Sequence, residues 1–332
     1  MTTLTQTDED IVPRLDEAAK KMQAAHEAAA KVIFGQDQVI EQSMITILSG
    51  GHAILVGMPG LAKTLLVDTL GRVLGLDAKR VQFTPDLMPT DIIGSEVLED
   101  NPGEKRAFRF IKGPIFTQLL MADEINRASP KTQSALLEAM QEHQVSVAGK
   151  TYDTPEPFHV LATQNPVEQE GTYPLPEAQL DRFLLQIDVN YPDLAAERRM
   201  IYATTGTEKA DLSAILSASE IIEIQRLVRQ IPVPDKVVEV ILGLVRSARP
   251  NSGGSEETDR YLAWGPSPRA SQAMMLAVRA RALIDGRLAP SVDDVVALAE
   301  PILKHRMALS FSARAEGKNL SEIISRLVTA AV

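Results

Sequence analysis

Gly57-Met58-Pro59-Gly60-Leu61-Ala62-Lys63-Thr64 decides the reading of this chain. An apolar run, Ala53 to Val56, precedes it as a buried strand would, and Leu65, Leu66, Leu70, Val73 and Leu74 follow at helical spacing. Strand, glycine-rich turn and helix start, in that order, make a seat for a phosphate chain. Successive backbone N–H groups turn inward and the helix N-terminus adds partial positive charge. In such a seat Lys63 reaches the outer phosphates as a mobile cation, and the Thr64 hydroxyl takes one position on Mg²⁺. Ala62 stands where the pattern wants its last glycine. The sequence therefore predicts a negative φ there, the condition under which a methyl group is tolerated while the loop stays close to the phosphates. The competing reading of the loop alone is an ordinary glycine-rich turn before a helix.

At 332 residues the chain exceeds what one hydrophobic core usually organises, so two domains are expected. Its 45% hydrophobic and 23% charged residues describe a globular protein, and no segment approaches the apolar length that spans a membrane. The polar, acidic N-terminus carries no basic-then-apolar signal pattern. The absence of cysteine excludes disulfides and thiolate metal sites and fits a reducing cytoplasm. A formal charge of −10 argues against a broad nucleic-acid footprint.

Residues 1–12 read as a frayed end. Leu15, Ala18, Ala19, Met22, Ala25 and Ala29 predict a helix from Pro13 to Val32, broken at Phe34-Gly35-Gln36. Asp37 is expected to cap a second helix through Leu48, and Val81-Gln82-Phe83 a short strand after the loop. Between Asp91 and Pro114 the pattern alternates on either side of Asn101-Pro102-Gly103-Glu104, which predicts a hairpin with its turn there. Val145 to Tyr152 predicts another. The first is either a plain surface hairpin or a loop that touches a substrate or partner.

Leu119-Leu120-Met121-Ala122-Asp123-Glu124 is an apolar run ending in two acids, as in a buried strand that delivers carboxylates to the edge where open α/β sheets bind ligands. Asp123 would hold Mg²⁺ through its water shell, leaving Glu124 to polarise an attacking water. Acids at strand ends also serve as helix caps, but about 60 residues after a phosphate loop this pair carries chemistry. Ser129-Pro130 opens the next helix. A strand from Phe158 to Thr163 then leads to Gln164-Asn165-Pro166. There Asn165 can orient water beside the carboxylates, or simply make a turn before proline. The last strand of this part runs from Phe183 to Val189, preceded by Arg182 at a helix end.

The set GMPGLAKT, LLMADEINRASPKTQSALLEAMQE, LATQNP and LPEAQLDRF resembles the MoxR family of AAA+ ATPases, from about Val32 to about Arg306. The resemblance implies a P-loop αβα domain with two inserted hairpins, matched by stretches 94–110 and 145–153, followed by a small helical lid. The change of sequence character around Tyr191-Pro192-Asp193 puts the boundary between residues 191 and 192. The resemblance also implies assembly as a homo-oligomeric ring, typically a hexamer, with ATP and Mg²⁺ at subunit interfaces. By motif, Gly57 to Thr64 hold the nucleotide, Thr64 and Asp123 the metal, and Glu124 acts on water. Asn165 is the first sensor, Arg182 resembles the arginine finger that reaches a neighbour's γ-phosphate, and Arg127 is a competing candidate for that contact.

After Tyr191-Pro192-Asp193 the sequence predicts helices alone, at Asp193–Ala203, Glu220–Gln230, Asp235–Ala248, Pro268–Ile284 and Val292–His305, with a mobile loop at Asn251–Asp259. Gly265-Pro266-Ser267-Pro268-Arg269-Ala270 resembles the family's second sensor, which would set Arg269 at a helix N-terminus facing the phosphates. The five histidines show no metal spacing and read as structural, and Met274 and Met275 as lid packing.

The function implied is an ATP-driven, chaperone-like role in protein maturation, often with a partner carrying a von Willebrand factor A domain. Other readings are the AAA+ subunit of a metal chelatase, a nucleic-acid motor, or a scaffold that binds ATP and scarcely hydrolyses it. A nucleic-acid motor would line its hairpins with cations and aromatics, whereas the second hairpin offers chiefly Lys150 and Tyr152.

Overall fold

The Ala-rich start of the chain forms α1 (Ile11–Ala30), burying the six residues whose spacing predicted it. Beyond its end the chain turns at Gly35, which takes a left-handed φ of 67° at a point where any side chain would strike Ala196. The computed structural model describes residues 11–99, 107–167, 171–206, 212–251 and 255–332. The expected turn at Asn101–Glu104 and most of the expected frayed end lie outside the described residues.

Helix α2 (Asp37–Leu48) begins with Gln36 at its cap position and no side-chain cap, so Asp37 sits inside the first turn rather than capping it. There its charge still favours the helix dipole. Next come β1 (Ala53–Gly57), α3 (Lys63–Val73), β2 (Ala78–Gln82), α4 (Pro89–Ile93) and the hairpin β3 (Gly94–Glu99) with β4 (Ala107–Lys112). Strand β5 (Leu119–Asp123) passes through a 3₁₀ turn, Ile125–Arg127, into α5 (Pro130–Glu142), whose cap Ser129 accepts from the Thr132 N–H as the Ser-Pro start predicts. The second hairpin, β6 (Gln144–Val147) and β7 (Lys150–Asp153), turns on Ala148 and Gly149. Both have positive φ, as the tightest two-residue hairpin turn requires. Its Tyr152 stacks on Phe110 of the first hairpin at 4.2 Å, so the two insertions support each other. Strand β8 (His159–Gln164), the short helix α6 (Glu177–Leu180), β9 (Leu185–Val189) and α7 (Leu194–Thr205) follow.

The five long-range strands pair in parallel in the order β2-β5-β8-β1-β9. Side chains alternate between the two faces, and each face has its own apolar cluster. Leu55, Leu119 and Met121 enter the cluster that also contains α1, α2 and the later helices. Ile54, Leu120 and Ala122 enter the other with Phe83, Leu136 and Phe183.

The later helices are α8 (Ala218–Gln230), α9 (Asp235–Ser247), α10 (Glu256–Tyr261), α11 (Pro268–Ile284), α12 (Val292–Leu303), α13 (Phe311–Ala315) and α14 (Leu320–Ala331). The all-helical expectation needs correction: β10 (Leu262–Trp264) pairs antiparallel with β11 (Ala308–Leu309). Strands of two or three residues are too short to display a period of two in sequence. The expected loop at Asn251–Asp259 is likewise shortened from its far side, because Ser255 caps α10 by accepting from the Thr258 N–H.

Two buried histidines brace the amino edge of the sheet. His52 accepts from the Val160 N–H on Nδ1 and faces the Met140 carbonyl with Nε2. His159 faces the Gly51 carbonyl with Nδ1 and the Gln225 amide with Nε2. Each ring thus has one donor and one acceptor duty, which only the neutral form meets. Burial pushes His52 down to about 3 and His159 to about 4. Below pH 6.5 the unfolded chain binds more protons than the folded one, so acidification costs stability down to those lowered values. We expect a loss on the order of 2 kcal/mol per histidine at pH 5. Thermal unfolding followed between pH 7 and 5 should show a steeper fall for wild type than for His159→Gln. Equal slopes would mean that His159 is not held neutral.

Candidate nucleotide site at the carboxyl edge of the sheet

Five parallel strands leave their carboxyl ends along one edge, and the turn after β1 rises from it between β8 and β9. Gly57 ends β1 with no room for a side chain: a Cβ there would lie 2.5 Å from the Val189 carbonyl oxygen. The loop then runs through Gly60, at φ 82°, into α3, which starts with no side-chain cap. The N–H groups of Gly60, Leu61 and Ala62 find no acceptor among the described residues. Unsatisfied donors at a helix start are a cradle for an anion, and this is the structural sign that a phosphate chain fits.

Ala62 corrects the sequence reading. Its φ is 57°, in the left-handed region, where a negative value was expected. Such a conformation costs an alanine roughly 1–2 kcal/mol, so the loop holds the shape a glycine would adopt and bears the strain of the methyl group.

The loop faces a cleft of about 430 Å³ lined by Pro59 to Leu65, Arg80, Gln82, Asp123, Glu124, Thr163 and Asn165. The structure therefore brings together the loop, both acids and Asn165. Gly57 and Met58 stand behind it, their carbonyls accepting from Lys63 Nζ at 2.7 and 2.8 Å. Burial pulls Lys63 below the usual lysine value while Asp123 and Glu124 oppose that pull. Asp123 ends β5 and is held from both sides. Arg80 of β2 reaches Oδ2 at 2.6 and 3.0 Å, and the Thr163 hydroxyl of β8 donates to Oδ1 at 2.6 Å.

Glu124, at φ 55° and ψ 50°, turns the chain out of the strand. Its N–H donates to Thr163 Oγ1, and its Oε2 accepts from Gln82 Nε2 at 2.8 Å and Arg127 Nη1 at 2.9 Å. Asn165 makes the turn before proline, its Oδ1 accepting from the Val167 N–H, and it also lines the cleft. Thr64 and Asp123 are hard oxygen donors facing one space. Two such groups suit Mg²⁺, which keeps waters and phosphate oxygens as its other ligands.

Arg182 and Arg269 do not line this cleft. Arg182 follows α6 and donates to the Leu137 carbonyl at 2.7 Å, against the α5 side of the molecule. Arg269 sits at the N-terminus of α11 as expected, exposed, with its N–H on the cap Ser267 and near Arg306, outside this cleft. Arg80, Gln82 and Thr163 went unread in the sequence. The polar alternation Arg80-Val81-Gln82 was the available signal, but it means something only once β2 is known to lie beside β5, with Gln82 paired to Asp123.

The loop geometry has a direct test. Ala62→Gly should bind nucleotide at least as tightly as wild type, because glycine adopts this φ without strain. Ala62→Val should weaken binding about tenfold or more, since a β-branched residue at positive φ forces the loop open. Calorimetric titration of both variants checks it, and unimpaired binding by Ala62→Val would show that the loop reshapes.

Residues 52–185 match the family of ATPases associated with various cellular activities, and residues 255–327 match the AAA lid domain. The chain is 42% identical over 299 residues to Chaperone MoxR1 of Mycobacterium tuberculosis, covering 90% of this chain and 78% of that one. It is 32% identical over 298 residues to Protein MoxR of Methylorubrum extorquens, covering 84% and 85%. A 2.00 Å crystal structure of a candidate ATPase from Cytophaga hutchinsonii superposes with a TM-score of 0.89 at 38% identity, over 98% of this chain and 97% of that one. With a phosphate cradle, paired acids and a helical lid in one chain, and relatives alike over nearly its whole length, the protein belongs to the MoxR family of AAA ATPases.

Proposed function

We propose that this chain hydrolyses ATP to ADP and phosphate with Mg²⁺, in a ring of identical subunits of which the hexamer is the expected form. In this reading it acts as a chaperone-like motor on partner proteins in the cytoplasm. The working division is a nucleotide-binding domain through residue 191 and a lid from 192. The observation that carries the reading is the cleft itself, where open amide donors, Lys63, two held carboxylates and Asn165 converge.

Gly57 to Thr64 would bind the phosphates, with Thr64 and Asp123 as metal ligands. The metal would supply charge neutralisation at the phosphates. Glu124, whose Oε2 accepts from Gln82 and Arg127, would take a proton from water, and Asn165 would hold that water in line. Arg182 and Arg269 lie outside their own chain's cleft, which suits a role toward a neighbouring subunit. The exposed side chains of the first hairpin include Val97, Leu98, Phe108 and Ile111. Apolar groups of this kind favour a protein target over nucleic acid. Among the described residues no helix is long and apolar enough to cross a membrane. A von Willebrand factor A domain protein is the partner class we would test first.

Lys63→Ala should abolish ATP binding, while Glu124→Gln keeps binding and loses turnover, because Lys63 contributes to ground-state charge pairing and Glu124 only to the reacting water. Equilibrium binding and phosphate release on both variants decide it, and near wild-type turnover in Glu124→Gln would place the base elsewhere. The shared site is tested by mixing Lys63→Ala with Arg182→Ala subunits. Interfaces joining an intact loop to an intact arginine should hydrolyse ATP above the sum of the separate variants. If exchange of subunits is demonstrated and no activity returns, Arg182 does not act across the interface and Arg127 becomes the residue to test.

A further inference from the structure

Arg306 is the largest fully buried side chain among the described residues, and it sits where the lid meets the turn that carries Arg182. All five of its N–H donors are used. Nε donates to Asp181 Oδ1 at 2.8 Å, Nη1 to the carbonyls of Leu184 at 3.1 Å and Ile302 at 2.6 Å, and Nη2 to the carbonyls of Asp181 at 3.3 Å and Phe183 at 2.6 Å. Three of those acceptors are the backbone immediately around Arg182. The other carboxylate oxygen of Asp181, Oδ2, accepts from the Ser267 hydroxyl at 2.8 Å, and Ser267 Oγ in turn accepts from the Arg269 N–H at 3.1 Å. His305, beside Arg306, adds a bond to the Phe183 carbonyl at 3.0 Å.

A buried ion pair is a poor source of stability, because apolar side chains of similar volume usually do as well. What a guanidinium fork adds is direction: it specifies where four carbonyls and a carboxylate must lie. Burial pulls Arg306 below its ordinary basicity, Asp181 opposes this, and the charge of Arg269 is near enough to deepen it.

We propose that Asp181, Arg306 and Ser267 are positioning residues that tie the lid to the Arg182 turn, so that Arg182 and Arg269 move as one unit toward nucleotide. This rests on the reading of both arginines given above.

Ser267→Ala is the mild test, since it removes the link to Asp181 without stranding the buried charge. It should lower kcat about tenfold or more while leaving KM for ATP within about twofold, as small misplacements of a transition-state group do. Ser267→Thr keeps the hydroxyl and should stay within about twofold of wild type in both constants. A merely structural cap would move the unfolding midpoint and leave kcat alone. Asp181→Asn, where it folds, should lose turnover in the same way and add no further loss in an Arg182→Ala background, because two changes acting through one group are not additive. Unchanged kcat in Ser267→Ala, failure of Ser267→Thr to restore it, or a full additional loss in the double variant would each overturn the proposal. If Arg182→Ala and Arg269→Ala themselves turn over like wild type, the underlying reading fails and the proposal with it. That outcome is recognisable because the parent variants are then the silent ones.

Discussion

Asp123 is gripped from both neighbouring strands, and most of the cleft follows from that grip. Strand β5 lies between β2 and β8, so its last residue is in reach of Arg80 on one side and Thr163 on the other. Both carboxylate oxygens are oriented before any ligand arrives, in surroundings where each hydrogen bond counts for more than it would in water. Thr163 passes the constraint on. The hydroxyl that donates to Asp123 accepts the N–H of Glu124 and so helps fix the point at which the chain leaves the strand.

Backbone strain is placed accordingly. Ala62 and Glu124 both occupy the left-handed region and both line the cleft. The other described non-glycine residues with positive φ, His143, Ala148 and Asn251, end a helix or lie in turns, where that conformation is common. At the cleft the conformation does something else: it turns the Ala62 amide into the phosphate cradle and swings Glu124 off the axis of β5. Each such residue costs on the order of 1–2 kcal/mol, which the packed sheet beneath can sustain.

Lid and sheet are not independent bodies joined by a linker. A single apolar cluster runs from α1 and α2, across one face of the sheet, into α8, α9, α11, α12 and α14. Motion of the lid must therefore slide or separate packed surfaces, and close packing makes such movements discrete rather than continuous. The polar clasp of Arg306, His305 and Lys304, the last paired with Asp188, fixes the register of those surfaces where the two parts meet.

Much of this was legible in the chain alone. The phosphate loop, the acids ending β5, the turn Asn165, the Ser129-Pro130 helix start and the buried face of α1 are local patterns, set by backbone donors, capping and side-chain period within a few residues. Those physics act at short range, and so sequence by itself determined most of the longer elements, the family and the position of the phosphate loop. Tertiary structure decided what depends on neighbours distant in the chain. Strand order brought Arg80 and Gln82, some 40 residues upstream, onto Asp123 and Glu124. The folded loop holds Ala62 at a φ that its own side chain disfavours. Arg306, which reads in sequence as an ordinary charged residue near a helix end, became a buried clasp because a folded turn over a hundred residues earlier presented it with carbonyls and a carboxylate. A short pattern cannot encode such partners, since the energy that selects them exists only once both surfaces have been brought together.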